Sequence, residues 1–255
     1  MRSVGLGIEG APPVSLVLDA VGVYYDARGP SALERALETG PTPSAETLAR
    51  AAAGIRLLAD QRISKYNDAP DRKPLGLPER YVLVLDQTQG DASIAGAGAG
   101  AATFAEMLRA AVAEAEGAPV VVKLHPDALT GRKSGFFTPA DAGGGVIVTA
   151  ARVNPWRLLD GARKVFTVSS QMGFEALMAG RQTHCFGASF YSGWGATQDR
   201  APQPSRRTRR RSVEEIFAAA YLDYPVYYDP DADRLCAFER AVEHLRRERD
   251  RAPAG

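Results

Sequence analysis

Four short polar segments hold the residues whose types and spacing could do chemistry, and each follows an apolar run. In Ser169-Ser170-Gln171-Met172-Gly173-Phe174-Glu175, two hydroxyls and a glycine lead into a helical stretch. Free amides at a helix start, with hydroxyls alongside, bind phosphate well; a plain serine cap is the alternative. Glu175, one turn in, stands within reach of ribose hydroxyls, or serves as a capping-box or surface residue. Lys123-Leu124-His125-Pro126-Asp127 puts a cation and an imidazole at a strand end, with Pro126 fixing the turn. His125 can donate to a phosphate oxygen and stabilise a departing nucleotide, although a lone histidine is more often structural. Gln87-Thr88-Gln89-Gly90-Asp91-Ala92-Ser93 is a polar loop in which Asp91 either caps the next helix or faces a sugar donor. In the second case it acts as nucleophile or stabilises an oxocarbenium-like transition state. Phe190-Tyr191-Ser192-Gly193-Trp194-Gly195 offers aromatic faces for a sugar or base, or simply packs a tight loop.

The elements that must position these segments alternate regularly. Strands are expected at Tyr81 to Leu85, Pro119 to Leu124, Val146 to Thr149, Lys164 to Val168 and Thr183 to Phe186. Helices are expected at Thr103 to Glu116, Trp156 to Gly161 and Gly173 to Gly180. Continuous apolar strands separated by helices imply a parallel sheet covered on both faces, a doubly wound Rossmann-like α/β lobe. Such folds place ligands at the carboxyl ends of their strands, where all four polar segments lie. Ahead of this region, Ser15 to Asp19 and Gly22 to Asp26 read as a hairpin. Helices follow from Pro30-Ser31 and from Ser44 to about Ile63, and Ser64 to Arg80, rich in Pro, Asp and Lys, reads as a linker. Two helices, Ser212 to Tyr221 and Asp233 to Arg249, close the sequence.

Composition bounds the function. The 255 residues, at roughly 150 per domain, predict about 1.7 domains. With 45% hydrophobic and 24% charged residues the chain is globular rather than disordered. Lys and Arg exceed Asp and Glu by 31 − 30 = +1, so the overall charge gives no reason to expect a nucleic-acid partner. The two cysteines, Cys185 and Cys236, are too few for a disulfide framework, which suits a reducing cytoplasm. His125, His184 and His244 are scattered, so no metal is expected. No apolar run reaches membrane-spanning length, no secretory signal is visible, and no G-x-S-x-G elbow anchors serine hydrolase chemistry. Gly96-Ala97-Gly98-Ala99-Gly100-Ala101 satisfies a loose dinucleotide fingerprint, but it lies too far beyond its strand and lacks the acidic ribose partner. The run Arg206-Arg207-Thr208-Arg209-Arg210-Arg211 is the one strong charge block. It reads as a solvated connector or as a contact with an anionic acceptor or lipid surface.

Taken in order, these motifs resemble the capsule polysaccharide biosynthesis proteins of KpsC/LipB type. The resemblance rests on the first three polar segments, on Phe186-Gly187 through Gly193-Trp194-Gly195, and on Arg2-Ser3-Val4-Gly5-Leu6-Gly7. Gly22-Val23-Tyr24-Tyr25-Asp26, Ser64-Lys65-Tyr66-Asn67 and the stretch from Ala220-Tyr221 to Asp229-Pro230 complete it. It implies a GT-B-like glycosyltransferase that moves 3-deoxy-D-manno-oct-2-ulosonic acid (Kdo) from CMP-Kdo onto a β-Kdo linker carried by a phospholipid. CMP-Kdo would be a donor substrate, with no cofactor. The family's His-Pro motif falls on His125 and Pro126 and its serine pair on Ser169 and Ser170, all at the CMP phosphate. Its loop aspartate, the nucleophile of a retaining double displacement, falls on Asp91, and Glu175 would meet the cytidine ribose. Gln87, Lys123 and Gly173 complete the expected nucleotide-sugar site.

The same resemblance implies three regions. Residues 1–76 would form a partial acceptor-side lobe with its linker, 77–200 the nucleotide-sugar lobe, and 201–255 a basic connector with helices packing back on the first lobe. In the family the Arg-Ser-x-Gly-Leu-Gly stretch follows an acidic Glu-Asp-Gly-Phe segment and a strand-helix region, and two modules often occur in tandem. This sequence opens at Met1-Arg2-Ser3 and holds one module, so a shortened first lobe is expected. The alternative function is a catalytically incomplete nucleotide- or glycan-binding module of a capsule biosynthesis and export complex. The implied location is the cytoplasm of a Gram-negative cell, with peripheral inner-membrane contact through Arg206, Arg207, Arg209, Arg210 and Arg211.

Overall fold

The computed structural model describes residues 13–65, 67, 69, 71, 76–124 and 134–251. A six-stranded parallel sheet organises the chain. Its strands are β2 (Tyr81–Leu85), β3 (Val120–Lys123), β4 (Val146–Thr149), β5 (Ala162–Thr167), β6 (Gln182–Cys185) and β7 (Gln198–Asp199), in the order β4-β3-β2-β5-β6-β7. Every pairing is parallel. The expected α/β architecture is therefore present.

The strand sequences explain themselves by two-sided burial. Tyr81, Leu83 and Leu85 face one core while Val82 and Val84 face the other, so β2 must be apolar at every position. One face is covered by α4 (Ala101–Ala113), through Phe104, Met107 and Ala111. The other is covered by α5 (Pro155–Gly161) and α6 (Gln171–Met178), through Trp156, Leu158, Leu159, Phe174 and Leu177.

That second core continues into α1 (Ala32–Thr39), α2 (Ala45–Gln61), α7 (Val213–Phe217) and α8 (Phe238–Arg251). The side chains of Ser31 and Ser44 accept the Glu34 and Thr47 N–H groups and so start α1 and α2. A π-helical stretch, Ala218–Asp223, extends α7. Trp156 Nε1 donates to Ile63 O at 2.9 Å, and Asn154 Nδ2 to Arg62 O at 2.8 Å, tying the exit of α2 to the entry of α5.

Ser15 to Asp19 does not pair with Gly22 to Asp26: β1 (Ser15–Leu16) pairs antiparallel with β8 (Val226–Asp229), which pairs with β9 (Arg234–Cys236). The segment after β1 turns instead on Asp19, whose carboxylate accepts the N–H groups of Val21, Gly22 and Ala32 and the Tyr224 hydroxyl. The final helix accordingly begins at Phe238 rather than Asp233, because β9 precedes it.

The arginine run is not a solvated connector. The Arg207 side chain is 2% exposed, donates to Ser189 O at 2.6 Å and Ser192 O at 2.8 Å, and lies over the Trp194 ring. Arg206 and Arg207 both bond the carboxylate of Glu34 on α1, which is itself buried. Arg211 is buried and donates to Leu37 O and to Glu215. Arg209 and Arg210 stay exposed, with Arg210 resting against Gly195.

Candidate active site

The sheet order reverses between β2 and β5: from β2 the chain moves outward through β3 and β4, then returns to β5 on the opposite side. At such a switch point the loops leaving adjacent strands diverge and open a crevice at their carboxyl ends. The loop after β2 begins Asp86-Gln87 and the loop after β5 reaches Ser169-Ser170.

Gln87 joins the two. Its Oε1 accepts the Ser169 N–H at 2.9 Å, and its Nε2 donates to Ser169 Oγ at 3.1 Å and to Ser93 Oγ at 3.4 Å. Ser93 sits in the first turn of α3 (Ala92–Gly96), whose cap is Asp91. The Asp91 carboxylate accepts the Ser93 N–H at 2.9 Å and is exposed, so its capping role is filled while it still faces solvent beside the serine cluster. The structure thus brings Gln87, Asp91, Ser93 and Ser169 together.

Ser170 caps α6, accepting the Met172 N–H at 3.3 Å. Its carbonyl accepts the Tyr191 hydroxyl at 2.6 Å, and Tyr191 is fully buried. That contact accounts for Gly173. A Cβ there would lie 2.2 Å from Tyr191 Oη and 2.8 Å from a Thr167 methyl, so the close approach of the tyrosine admits only glycine. The aromatic loop after β6 therefore braces the serine turn from behind, which a reading of the sequence alone does not reveal.

Lys123 ends β3, beside β2, and donates to Leu124 O at 2.6 Å. Burial pulls its ammonium down to about 8, against the upward pull of the Asp86 carboxylate. Asp86, which opens the polar segment after β2, accepts the N–H groups of Gln87 and Phe136, both at 2.9 Å. With Gln89 bonded to Ser134 and Gly135, it fixes the polar loop to the segment that returns toward β4. Its place directly after a buried strand is what marks it in the sequence. His125, together with Pro126 and Asp127, lies outside the described residues, as does Arg2 to Gly7.

Glu175 is enclosed rather than displayed. It is 3% exposed, its carboxyl accepts the Lys65 N–H, and burial pushes it up to about 8. It shares its surroundings with Tyr221, whose hydroxyl accepts from Gln171 Nε2 at 3.2 Å. The glycine-rich stretch Gly96 to Ala101 forms the end of α3 and the entry to α4. Gly96 packs against Tyr25 O, which a Cβ would approach to 2.5 Å.

Among the described residues, one group brings three possible metal-binding atoms within 4.8 Å: Asp229, Asp231 and His244. Arg240 already bonds Asp229 at 2.6 Å, and Arg240 and Arg247 lie within 3.8 Å of Asp231. No described helix is long and apolar enough to cross a membrane.

The sequence profile of capsule polysaccharide biosynthesis proteins matches residues 1–227. The chain belongs to the capsule polysaccharide biosynthesis family. This family member is 40% identical, over 96% of its length, to the capsule polysaccharide modification protein LipA of Neisseria meningitidis serogroup B, and spans 36% of that relative. It is 38% identical, over 99% of its length, to the lipopolysaccharide-processing protein LpsZ of Rhizobium meliloti, and spans 58% of it. Its fold matches the Thermosulfurimonas dismutans KpsC β-Kdo 2,4 transferase with a TM-score of 0.88 and 44% identity, covering 96% of this chain and 77% of that one. The β-Kdo 2,7 transferase of the same organism's KpsC matches at a TM-score of 0.74 and 30% identity, with 97% and 75% covered.

Proposed function

We propose that this capsule biosynthesis family member is a glycosyltransferase that moves Kdo from CMP-Kdo to a β-Kdo linker on a phospholipid. The supporting observation is the cluster of Gln87, Asp91, Ser93 and Ser169 at the switch point of a fold that a β-Kdo 2,4 transferase shares at 44% identity. In this reading Ser169, Ser170, Lys123 and His125 receive the CMP phosphate. Hydroxyl donors and a cation stabilise the negative charge that grows on the leaving phosphate.

The Asp91 carboxylate attacks the anomeric carbon of Kdo as the bond to CMP breaks, and CMP leaves as its phosphate anion. An acceptor hydroxyl then attacks the same carbon and displaces Asp91 as its carboxylate, the hydroxyl proton passing to solvent, so two inversions give retention. In this reading Glu175, whose carboxyl accepts the Lys65 N–H, faces the cytidine ribose. The reaction would run in the cytoplasm, with Arg209 and Arg210 the members of the basic run left to meet the lipid-linked acceptor or neighbouring capsule assembly proteins.

The test is CMP release from CMP-Kdo in the presence of a β-Kdo-terminated lipid, with CMP affinity measured separately by calorimetry. Asp91→Asn, which keeps an oxygen to accept the Ser93 N–H, is expected to abolish release while leaving the CMP dissociation constant within about twofold, because the lost carboxylate acts on the sugar and not the nucleotide. A folded wild-type chain that neither binds CMP nor releases it would overturn the reading.

A further inference from the structure

Gln87 is 5% exposed and has both ends of its amide committed. Its orientation is set by its neighbours. The Ser169 backbone N–H can only donate, so the atom 2.9 Å away is Oε1, and Nε2 therefore faces the two hydroxyls as a donor. Ser169 Oγ is held as an acceptor, which leaves its proton to find a partner elsewhere. Among the described residues that proton has Ser93 O and Ser93 Oγ, both at 3.3 Å. Hydroxyl hydrogen bonds of ordinary strength are about 2.7–2.8 Å, so neither satisfies it well. Ser93 Oγ, 3.4 Å from Nε2, is in the same condition. Two half-buried hydroxyls thus stand side by side at the switch point, each offered a donor from within and each holding a proton without a short acceptor among the described residues.

We propose that Gln87 is a positioning residue that turns the Ser169 and Ser93 hydroxyls outward as a pair of donors to one phosphate group, making Ser93 a phosphate contact of the donor site. This rests on the CMP-Kdo reading above for the identity of the ligand. The amide touches no phosphate itself; it acts by occupying the acceptor side of both serines.

Gln87→Glu separates positioning from structure. The carboxylate keeps the shape and still accepts the Ser169 N–H, but it replaces the Nε2 donor with an acceptor, which draws both hydroxyl protons inward. Calorimetry would compare CMP with cytidine, which lacks the phosphate, after thermal melts have established that the variants fold. Gln87→Glu is expected to weaken CMP binding by about tenfold or more with cytidine affinity unchanged, the loss of hydrogen bonds to a charged group. Ser93→Ala is expected to lose about fivefold on CMP alone, and Ser93→Thr, which keeps the hydroxyl, to recover it.

Equal losses on CMP and cytidine, or no loss on either, would overturn the clamp while leaving the glycosyltransferase reading standing. If the wild-type chain does not take CMP, that reading fails. Titration with inorganic phosphate followed by 31P line width then decides the clamp: binding that Gln87→Glu removes supports it, and no phosphate binding by wild type overturns it.

Discussion

The contact between Glu34 and the arginine run makes the sharpest stability prediction. Glu34 lies on α1 with its side chain 7% exposed, and Arg207, 2% exposed, approaches its carboxylate at 2.8 Å. Truncation by Glu34→Ala leaves the Arg207 guanidinium buried without a counter-charge, a change that costs about 3–5 kcal/mol in buried pairs. Arg207 keeps two carbonyl acceptors, Ser189 O and Ser192 O, and the face of Trp194 at 5.4 Å, which places the loss near the lower end, about 3 kcal/mol. Arg206 is 35% exposed, so its share is below about 1 kcal/mol. For a chain of this length each kcal/mol moves the melting midpoint by about 2–4 °C, so a fall of roughly 6–12 °C is expected in circular dichroism melts. Glu34→Leu combined with Arg207→Met, which exchanges the pair for apolar volume, is expected to recover most of it. A fall under about 2 °C for Glu34→Ala, or a double variant no better than the single, would refute the assignment of this pair as the joint between α1 and the aromatic loop.

Burial leads to two more outcomes. Gly173→Ala forces a Cβ against Tyr191 Oη and Thr167, and is expected to cost about 1–3 kcal/mol in guanidinium denaturation, with Tyr191→Phe restoring part of it by removing the oxygen; an unchanged midpoint would sink this packing argument. Glu175 has a folded pKa raised to about 8 from 4.5, so the folded chain binds a proton that the unfolded chain has released. Its contribution is complete below about 4.5 and is lost as pH rises through 8, at no more than about 1.4 kcal/mol per unit. His184, lowered to about 4 from 6.5, and Lys123, lowered to about 8 from 10.5, bind more protons in the unfolded chain and so raise stability with pH at the two ends of the range from pH 6.5 to 8. Both are common to wild type and Glu175→Gln, so the difference between the two slopes isolates Glu175. The slope of stability against pH is expected to be more negative in wild type than in Glu175→Gln across that range; equal slopes would show that Glu175 does not contribute.

How much of this was legible in the sequence depends on how far apart the interacting residues stand. Tyr81 to Leu85 reads as a buried strand because both of its faces meet cores, and Gln87 and Ser169-Ser170 stand out because they lie just past the carboxyl ends of such strands. The hairpin expectation failed because the partner of Ser15 is Tyr227, and local alternation carries no information about a strand so distant. Gly173 reads in the sequence as part of a phosphate turn, yet its physical constraint comes from Tyr191, eighteen residues on and behind the turn. The arginine run misled for a related reason. A block of like charge reads as solvated until single carboxylates elsewhere, here Glu34 and Glu215, are brought against it by the fold.

Five arginines within six residues are ordinarily the first place trypsin cuts. In this fold the side chains of Arg207 and Arg211, which the protease would have to draw into its specificity pocket, are fastened to carbonyls and carboxylates of α1, α7 and the aromatic loop. The peptide bonds after them are shielded for as long as α1 stays seated. Cleavage after Arg207 or Arg211, told by fragment mass from cuts after the exposed Arg209 and Arg210, therefore becomes a clock for the undocking of α1.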